Sequence, residues 1–507
     1  MKTNIYVTVD ETSKAIKPVT GTVSDWITAN QVNKWCPGDI KMICAGSGAG
    51  KCYFMRNIVC DCYKRQGKRI LYLMPRTKIK EQFQKELDFD KSIDLMTYQS
   101  IEEIQNDPKR ELSQWDVIIC DEAHYFLSDS GFNRRTDLSF GWIMEQKGAI
   151  KVFLTATDAG ISRYLQEQGV EFEKFLVPIS QKQIKSLSFF WSNDNLDALA
   201  RRIIKDNGKA IFFLQSAKTA YAMYEKFSDR SFFLCSQHNG EFSRFMDADA
   251  ITAMIERERF ECNLLFTTTA LDTGITIKDQ GLTTIVVDVA DPSAIVQCIG
   301  RKRFVNNADT LNIYIHGRTQ QQIGGILRKC YEKETIARNF MESGAVEFAA
   351  AHNRGNDSEG MVVDVQADES KPVFKKQLNL LRYSNIKYQI EIYQEILNRK
   401  DGYIGYVAEL LGCQNYSILE DIQQKQSLAD YLDGLIGKPM LTKEEKIPFI
   451  EKLDIRRERK LCKSFSGISG WIEGSGLPYR LLEYQTSRVM GGKKKNFRAW
   501  EIVKLSV

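Results

Sequence analysis

Apolar runs of strand length recur along the first two-thirds of this chain, and most are continuous instead of alternating. The pattern predicts strands at Ile40–Cys44, Arg69–Leu73, Asp116–Cys120 and Lys151–Leu154, then at Leu187–Trp191, Ala210–Leu214, Leu264–Thr267, Ile285–Val289 and Leu311–Ile315. The stretches between them read as helices. A strand apolar on every residue is buried on both faces, which implies parallel sheets covered by helices. The strand–helix rhythm occurs twice, with a break near Val177-Pro178-Ile179-Ser180. The expected fold class is therefore α/β, with consecutive domains at about 1–180 and 181–328. Beyond 328 the rhythm changes. Ile326–Glu342 and Leu378–Asn398 read as helices in a mainly helical region, 329–440, and the polar stretch Arg354–Lys371 reads as a loop. In the last part, 441–507, the pair Gly491-Gly492 separates Glu483–Met490 from Lys493–Val503 and predicts a hairpin.

Length and charge refine this picture. A chain of 507 residues has room for about two to four domains. No apolar run reaches the roughly 18 residues that span a bilayer, and Met1–Lys14 lacks the apolar core of a secretion signal. The twelve cysteines include no CxxC pair, and Cys60 and Cys62 are two apart. That usage points to reduced thiols in a cytoplasmic protein, with no membrane partner. Net charge is +5, but Glu451–Val507 holds 13 Lys/Arg against 6 Asp/Glu. In this tail Phe465, Trp471, Tyr479, Tyr484, Phe497 and Trp500 interleave with the cations. Cations attract phosphates and aromatic faces stack bases, so the tail is a candidate nucleic-acid-binding element. It reads equally as a small α+β core with solvated lysines, and the short helical region before the hairpin suggests a winged-helix module.

Two strings carry chemistry. Ala45-Gly46-Ser47-Gly48-Ala49-Gly50-Lys51-Cys52 follows a predicted strand and opens a predicted helix. The glycines let backbone N–H groups converge on phosphates, and Lys51 would reach the β/γ-phosphates. The position after the lysine, which normally offers a Mg²⁺-binding hydroxyl, is Cys52, a soft and poor donor to a hard ion. The second string, Asp121-Glu122-Ala123-His124, follows the apolar run Val117-Ile118-Ile119-Cys120. Carboxylates at the carboxyl end of a sheet strand sit where ligands bind in open α/β folds. There Asp121 would hold Mg²⁺ and Glu122 would orient and deprotonate an attacking water.

Further strings follow in order: Leu73-Met74-Pro75-Arg76-Thr77, Thr97-Tyr98-Gln99-Ser100, Thr155-Ala156-Thr157, Phe213-Leu214-Gln215-Ser216, Thr267-Thr268 through Gly274-Ile275-Thr276, and Gln297-Cys298-Ile299-Gly300-Arg301-Lys302-Arg303. With the first two, they resemble the motif set of superfamily 2 helicases of the DEAD/DEAH-box kind over about 45–303. The resemblance implies two tandem RecA-like domains with ATP and Mg²⁺ in the cleft between them. It implies that Gly46, Ser47, Gly48, Ala49, Gly50, Lys51 and Cys52 hold the phosphates. Gln297, Arg301 and Arg303 would reach across from the second domain. His124, Thr155, Thr157 and Gly274 would couple the site to domain movement. Pro75, Arg76, Thr97, Ser216 and Thr268 would touch the nucleic-acid backbone. The short last motif, lacking a second glycine, resembles origin-binding helicases of large DNA viruses and their bacterial and mobile-element relatives, which favours DNA over RNA. Thr276 stands where many relatives carry Asp. Gln31 is either an adenine-reading glutamine or an ordinary helix residue. The expected activity is ATP-dependent movement on nucleic acid. The alternatives are a nucleic-acid-stimulated ATPase that clamps or remodels without unwinding, in a replication or defence complex, and an ATPase-inactive binding module.

Overall fold

The computed structural model describes residues 22–505 apart from 47, 78–79, 81–82, 85–91, 106–111, 132, 157–158, 178–182, 270–274, 307, 352–359, 369–370, 458–459 and 491–492. Two compact units are present, Met1–Tyr416 and Ser417–Val507.

All nine predicted strands form, within three residues of the expected bounds. In the first lobe of the larger unit, β1 (Ile40–Ala45), β2 (Ile70–Met74), β3 (Ile93–Thr97), β4 (Val117–Cys120), β5 (Ile150–Thr155) and β6 (Glu173–Val177) make a sheet in the order β3-β2-β4-β5-β1-β6. Every pairing is parallel. In the second lobe, β7 (Ile184–Phe190), β8 (Lys209–Phe213), β9 (Ser231–Leu234), β10 (Leu264–Thr267), β11 (Leu282–Val287) and β12 (Leu311–His316) run in the order β7-β12-β11-β8-β10-β9, again parallel. The continuous apolar runs are explained by burial on both sides. Ile43, Tyr72, Ile119 and Val152 lie in one core cluster, while Met42, Leu71, Ile118 and Phe153 lie in the other. Alternate residues of each strand thus serve opposite cores. Parallel strands bring their carboxyl ends to one edge of each sheet, and the functional strings follow those ends.

The break at Pro178–Ser180 lies outside the described residues. The expectation of a loop over Arg354–Lys371 is corrected in part. Val362–Asp368 (β13) pairs antiparallel with Lys371–Leu378 (β14). Met361, Val362 and Val363 are buried, and Asp364 sits opposite Lys376 at 3.1 Å. A cross-strand ion pair keeps these polar positions in a ribbon. The two predicted helices appear as Gln320–Ala351, interrupted by non-helical backbone at Gly344, and as Leu380–Asn398, capped by Asn379. Among the described residues no helix is long and apolar enough to cross a membrane.

In the smaller unit the elements run helix Leu419–Asp433, a bridge from Met440 to Trp500, helix Lys443–Leu453, β15 (Arg456–Arg457), β16 (Lys460–Leu461), helix Phe465–Gly474, and the ribbon of β17 (Tyr479–Met490) with β18 (Lys493–Lys504). The predicted hairpin is therefore present, though Gly491 and Gly492 themselves lie outside the described residues. The tail's aromatics divide. Tyr479 and Trp500 join the core with Phe449, Ile468, Ile472 and Ile502, and Phe465 packs on Trp500, whereas Trp471 and Tyr484 are exposed.

Candidate active site

The loop after β1 turns twice through left-handed backbone, at Gly48 (φ 83°) and Gly50 (φ 77°), conformations that disfavour any side chain. Helix Lys51–Phe54 begins at once and continues through a π-helical stretch, Met55–Cys60. The segment before β1 braces the loop, with Val23 N–H donating to the Ala49 carbonyl at 2.8 Å. Lys51 is buried, and its ammonium donates to the carbonyls of Ala45 (2.7 Å) and Gly46 (3.3 Å) at the mouth of the loop. Ser47 lies outside the described residues.

Asp121 and Glu122 leave the end of β4 beside this loop. Asp121 is buried. It accepts from Tyr72 Oη at 3.2 Å and from the Glu122 N–H at 2.9 Å, and Cys52 Sγ lies 4.0 Å from it. Burial and the charge of Glu122 push the Asp121 carboxyl up to about 6. Glu122 moves the opposite way. Burial alone would raise it, but His124, Lys51, Arg301 and Arg303 outweigh that and hold it at about 2. Its backbone is left-handed (φ 48°), an uncommon conformation for a non-glycine residue that recurs at functional turns. Ala123 N–H ties the turn to β5 by donating to the Leu154 carbonyl at 2.7 Å, one residue before buried Thr155. His124 Nδ1 is 3.4 Å from Glu122 Oε2, and burial lowers the imidazole's affinity for a proton. Although the Cys52 residue is exposed, desolvation of its thiol beside Asp121 and the charge of that carboxylate push the thiol up to about 12, so it stays protonated at neutral pH.

The second lobe contributes through the segment after helix Pro292–Ile299. Gln297 is half-buried on that helix, and Arg301 donates from Nε to the Gln297 carbonyl at 3.2 Å. Arg303 Nη1 is buried and has no hydrogen-bond partner among the described residues. A Cβ placed on Gly48 would lie 3.9 Å from that nitrogen. Burial and the neighbouring Arg301 charge lower the affinity of Arg303 for its proton. Lys302, between the two arginines, instead enters the lobe's interior and pairs with Asp309 at 2.9 Å. The site thus joins a glycine-rich loop, an ammonium, two carboxylates and two guanidinium groups. This set suits a polyphosphate, and Asp121 is the carboxylate placed for a hard divalent cation.

The residues expected at a nucleic-acid surface lie on the strand-end edges but already have local partners. Arg76 pairs with Asp129 at 2.8 Å. Thr97 accepts from the Ser100 N–H at 3.1 Å, and Ser216 caps helix Ala217–Lys226 by accepting from the Thr219 N–H at 3.0 Å. Pro75 and Thr268 are half-buried. Gln31 is an ordinary capping residue, its side chain accepting from the Thr28 N–H at 2.9 Å. Thr157 and Gly274 lie outside the described residues. Sequence reasoning missed Tyr72, Tyr98 and Asp129. Tyr98 donates to the Asp121 carbonyl at 2.7 Å. The sequence signal for Tyr72 was a hydroxyl inside an apolar strand, and Tyr98 had only its place beside Thr97 in the string Thr97-Tyr98-Gln99-Ser100.

No protein-family model matches the chain, and no curated protein matches it. Among solved structures it is similar to a variant of S. cerevisiae Dbp5 bound to RNA and ADP BeF3, with 19% identity over 57% of this chain and 81% of that chain and a TM-score of 0.42. It is also similar to the DEAD-box helicase Mss116 bound to ssRNA and UDP-BeF, with 12% identity over 64% of this chain and 80% of that chain and a TM-score of 0.45.

Proposed function

We propose that this chain is an ATP-hydrolysing motor of the superfamily 2 helicase kind that acts on nucleic acid, with DNA favoured over RNA. The observation that carries the reading is Arg303. A buried guanidinium nitrogen left without an acceptor costs about 1–3 kcal/mol or more, and it faces the phosphate loop of the other lobe. A γ-phosphate supplies the missing acceptor.

In this reading Lys51 and the loop's N–H groups hold the β/γ-phosphates. Arg301 and Arg303 neutralise charge that develops on the equatorial oxygens. A carboxylate held at about 2 is a weak base, so Glu122 orients the attacking water and accepts its proton late, when the transferring group is already loosely bound. Asp121 would hold Mg²⁺, which would supply neutralisation of the phosphates' negative charge. The residues present fit such an ion through one carboxylate and water, because Mg²⁺ sites keep several waters. Cys52 adds no hard donor. Cys52→Ser is therefore expected to lower the Mg²⁺ concentration needed for half-maximal turnover by about tenfold, the low end of what supporting groups carry at metal sites. A Mg²⁺ titration of phosphate release checks it.

The protonated thiol of Cys52 also supports the rival reading, a binding module without turnover. Phosphate release from ATP, alone and with single-stranded DNA, duplex DNA or RNA, beside Lys51→Ala, separates the two. Stimulation by one polymer that the variant loses supports the motor and names its track. Tight polymer binding with no release under any condition supports the binding module. Unwinding of a forked duplex then separates a helicase from a clamp or remodeller.

A further inference from the structure

The ribbon of the smaller unit is longer than its core requires. Tyr479 and Leu481 on β17, and Trp500 and Ile502 on β18, anchor its base. From Gln485 and Arg498 outward no described side chain is buried. Six residues of each strand therefore project, about 20 Å at roughly 3.3 Å per residue. The projecting part, Gln485–Arg498, contains Arg488, Lys493, Lys494, Lys495 and Arg498 and no acid. Arg488 is paired directly opposite Lys495, an arrangement of like charges that weakens a ribbon in water. The acid that faces this arm is Glu445, at the start of helix Lys443–Leu453, which feels Arg488. Lys493–Lys495 have no such neighbour on the arm itself.

Strand alternation sets the arm's shape of charge. Lys494 and Arg498 share the face that carries Trp500 and Ile502 at the base, and Lys493 and Lys495 occupy the opposite face with Arg488. A flat anionic surface would be met by cations on one face. Cations on both faces suit a groove whose two walls are both phosphate. The major groove of B-form DNA, about 12 Å wide, admits a two-stranded ribbon, whereas the A-form groove of duplex RNA is too narrow for side chains to enter. Helix Phe465–Gly474 offers no rival contact. Its exposed residues include Trp471 and Glu473 and no cation, and Glu473 lies 3.9 Å from Arg480.

We propose that the paired strands Gln485–Met490 and Lys493–Arg498 form a duplex-DNA arm that enters the major groove and binds the phosphates on either side, without reading sequence. This rests on the nucleic-acid reading above and adds to it a double-stranded anchor distinct from the track crossed by the larger unit. The test uses the full chain carrying Lys493→Gln, Lys494→Gln and Lys495→Gln together, with the corresponding triple Lys→Arg change as the conservative partner. Affinity for a short DNA duplex is measured against salt. Neutralising three phosphate contacts is expected to make the log–log slope shallower by about 2.7, at 0.9 per contact. The Arg triple should keep the wild-type slope, and phosphate release without polymer should be unchanged in both. An unchanged slope in the Gln triple overturns the proposal. So does an equal loss of binding to duplex DNA and to vesicles of anionic lipid, which would make the arm a general anion binder. If no polymer stimulates phosphate release but the slope changes as expected, the arm stands and the motor reading falls.

Discussion

Arg303→Ala is expected to reduce nucleic-acid-stimulated ATP turnover by about 10³–10⁵, the range that an arginine reaching a transferring phosphoryl group carries. The geometry gives the reason. Arg303 comes from the second lobe, its Nη1 is buried without a partner, and it faces Gly48 of the first lobe's loop. Arginine suits this role because its planar fork holds two phosphate oxygens and stays charged even where burial opposes charge. A second readout separates this role from a structural one. Removing a buried, unsatisfied group should leave the nucleotide-free protein as stable as before or more so, whereas a structural arginine would destabilise it. Thermal unfolding and single-turnover phosphate release on the same preparation check both halves.

Asp288→Ala is expected to destabilise the larger unit by about 3–5 kcal/mol, the cost of removing one partner from a buried ion pair. Asp288 follows β11 and is 4% exposed. Its Oδ1 accepts from Arg318 at 2.6 Å, His316 at 2.7 Å and Gln215 at 3.1 Å, so it ties the ends of β12 and β8 to that of β11. Without it, the buried Arg318 guanidinium loses its counter-charge. Burial alone would raise the Asp288 carboxyl, but the bonds from His316 and Arg318 outweigh it and hold the carboxyl below its ordinary value of 3.8. A carboxyl depressed on folding stabilises fully above its unfolded value, and that contribution fades as pH falls through the folded value. The stability gap between wild type and variant should therefore be constant at neutral pH and narrow only below about pH 4. Denaturant unfolding across pH measures it.

The central strands were legible because each carries a nearly continuous apolar run, broken at most by single polar residues such as Lys41 in β1 and Lys151 in β5, as two-sided burial favours. The strands missed in the two parallel sheets, β3, β6 and β9, all lie at sheet edges. Asp94 in β3 and Glu173 and Lys174 in β6 break the apolar run because an edge meets solvent on one side. The β13–β14 ribbon was hidden because its polar positions are satisfied by pairing across the ribbon, as Asp364 is by Lys376, which no linear pattern records. At the site, the loop and the acidic pair were legible as contiguous strings. The hold of Tyr72 and Tyr98 on Asp121, and the pairing of Arg76 with Asp129, depend on strand order. The lack of a partner at Arg303 Nη1 depends on how the two lobes pack.

Phosphate release from ATP in the presence of Mg²⁺ and the most effective polymer, for wild type beside Glu122→Gln, tests the central claim most directly. The amide keeps the shape of the carboxylate but takes no proton, so hydrolysis should fall by about 10²–10⁴ while ATP binding is retained. Equal rates in the two proteins, whether both active or both silent, would contradict a hydrolytic site built on Glu122.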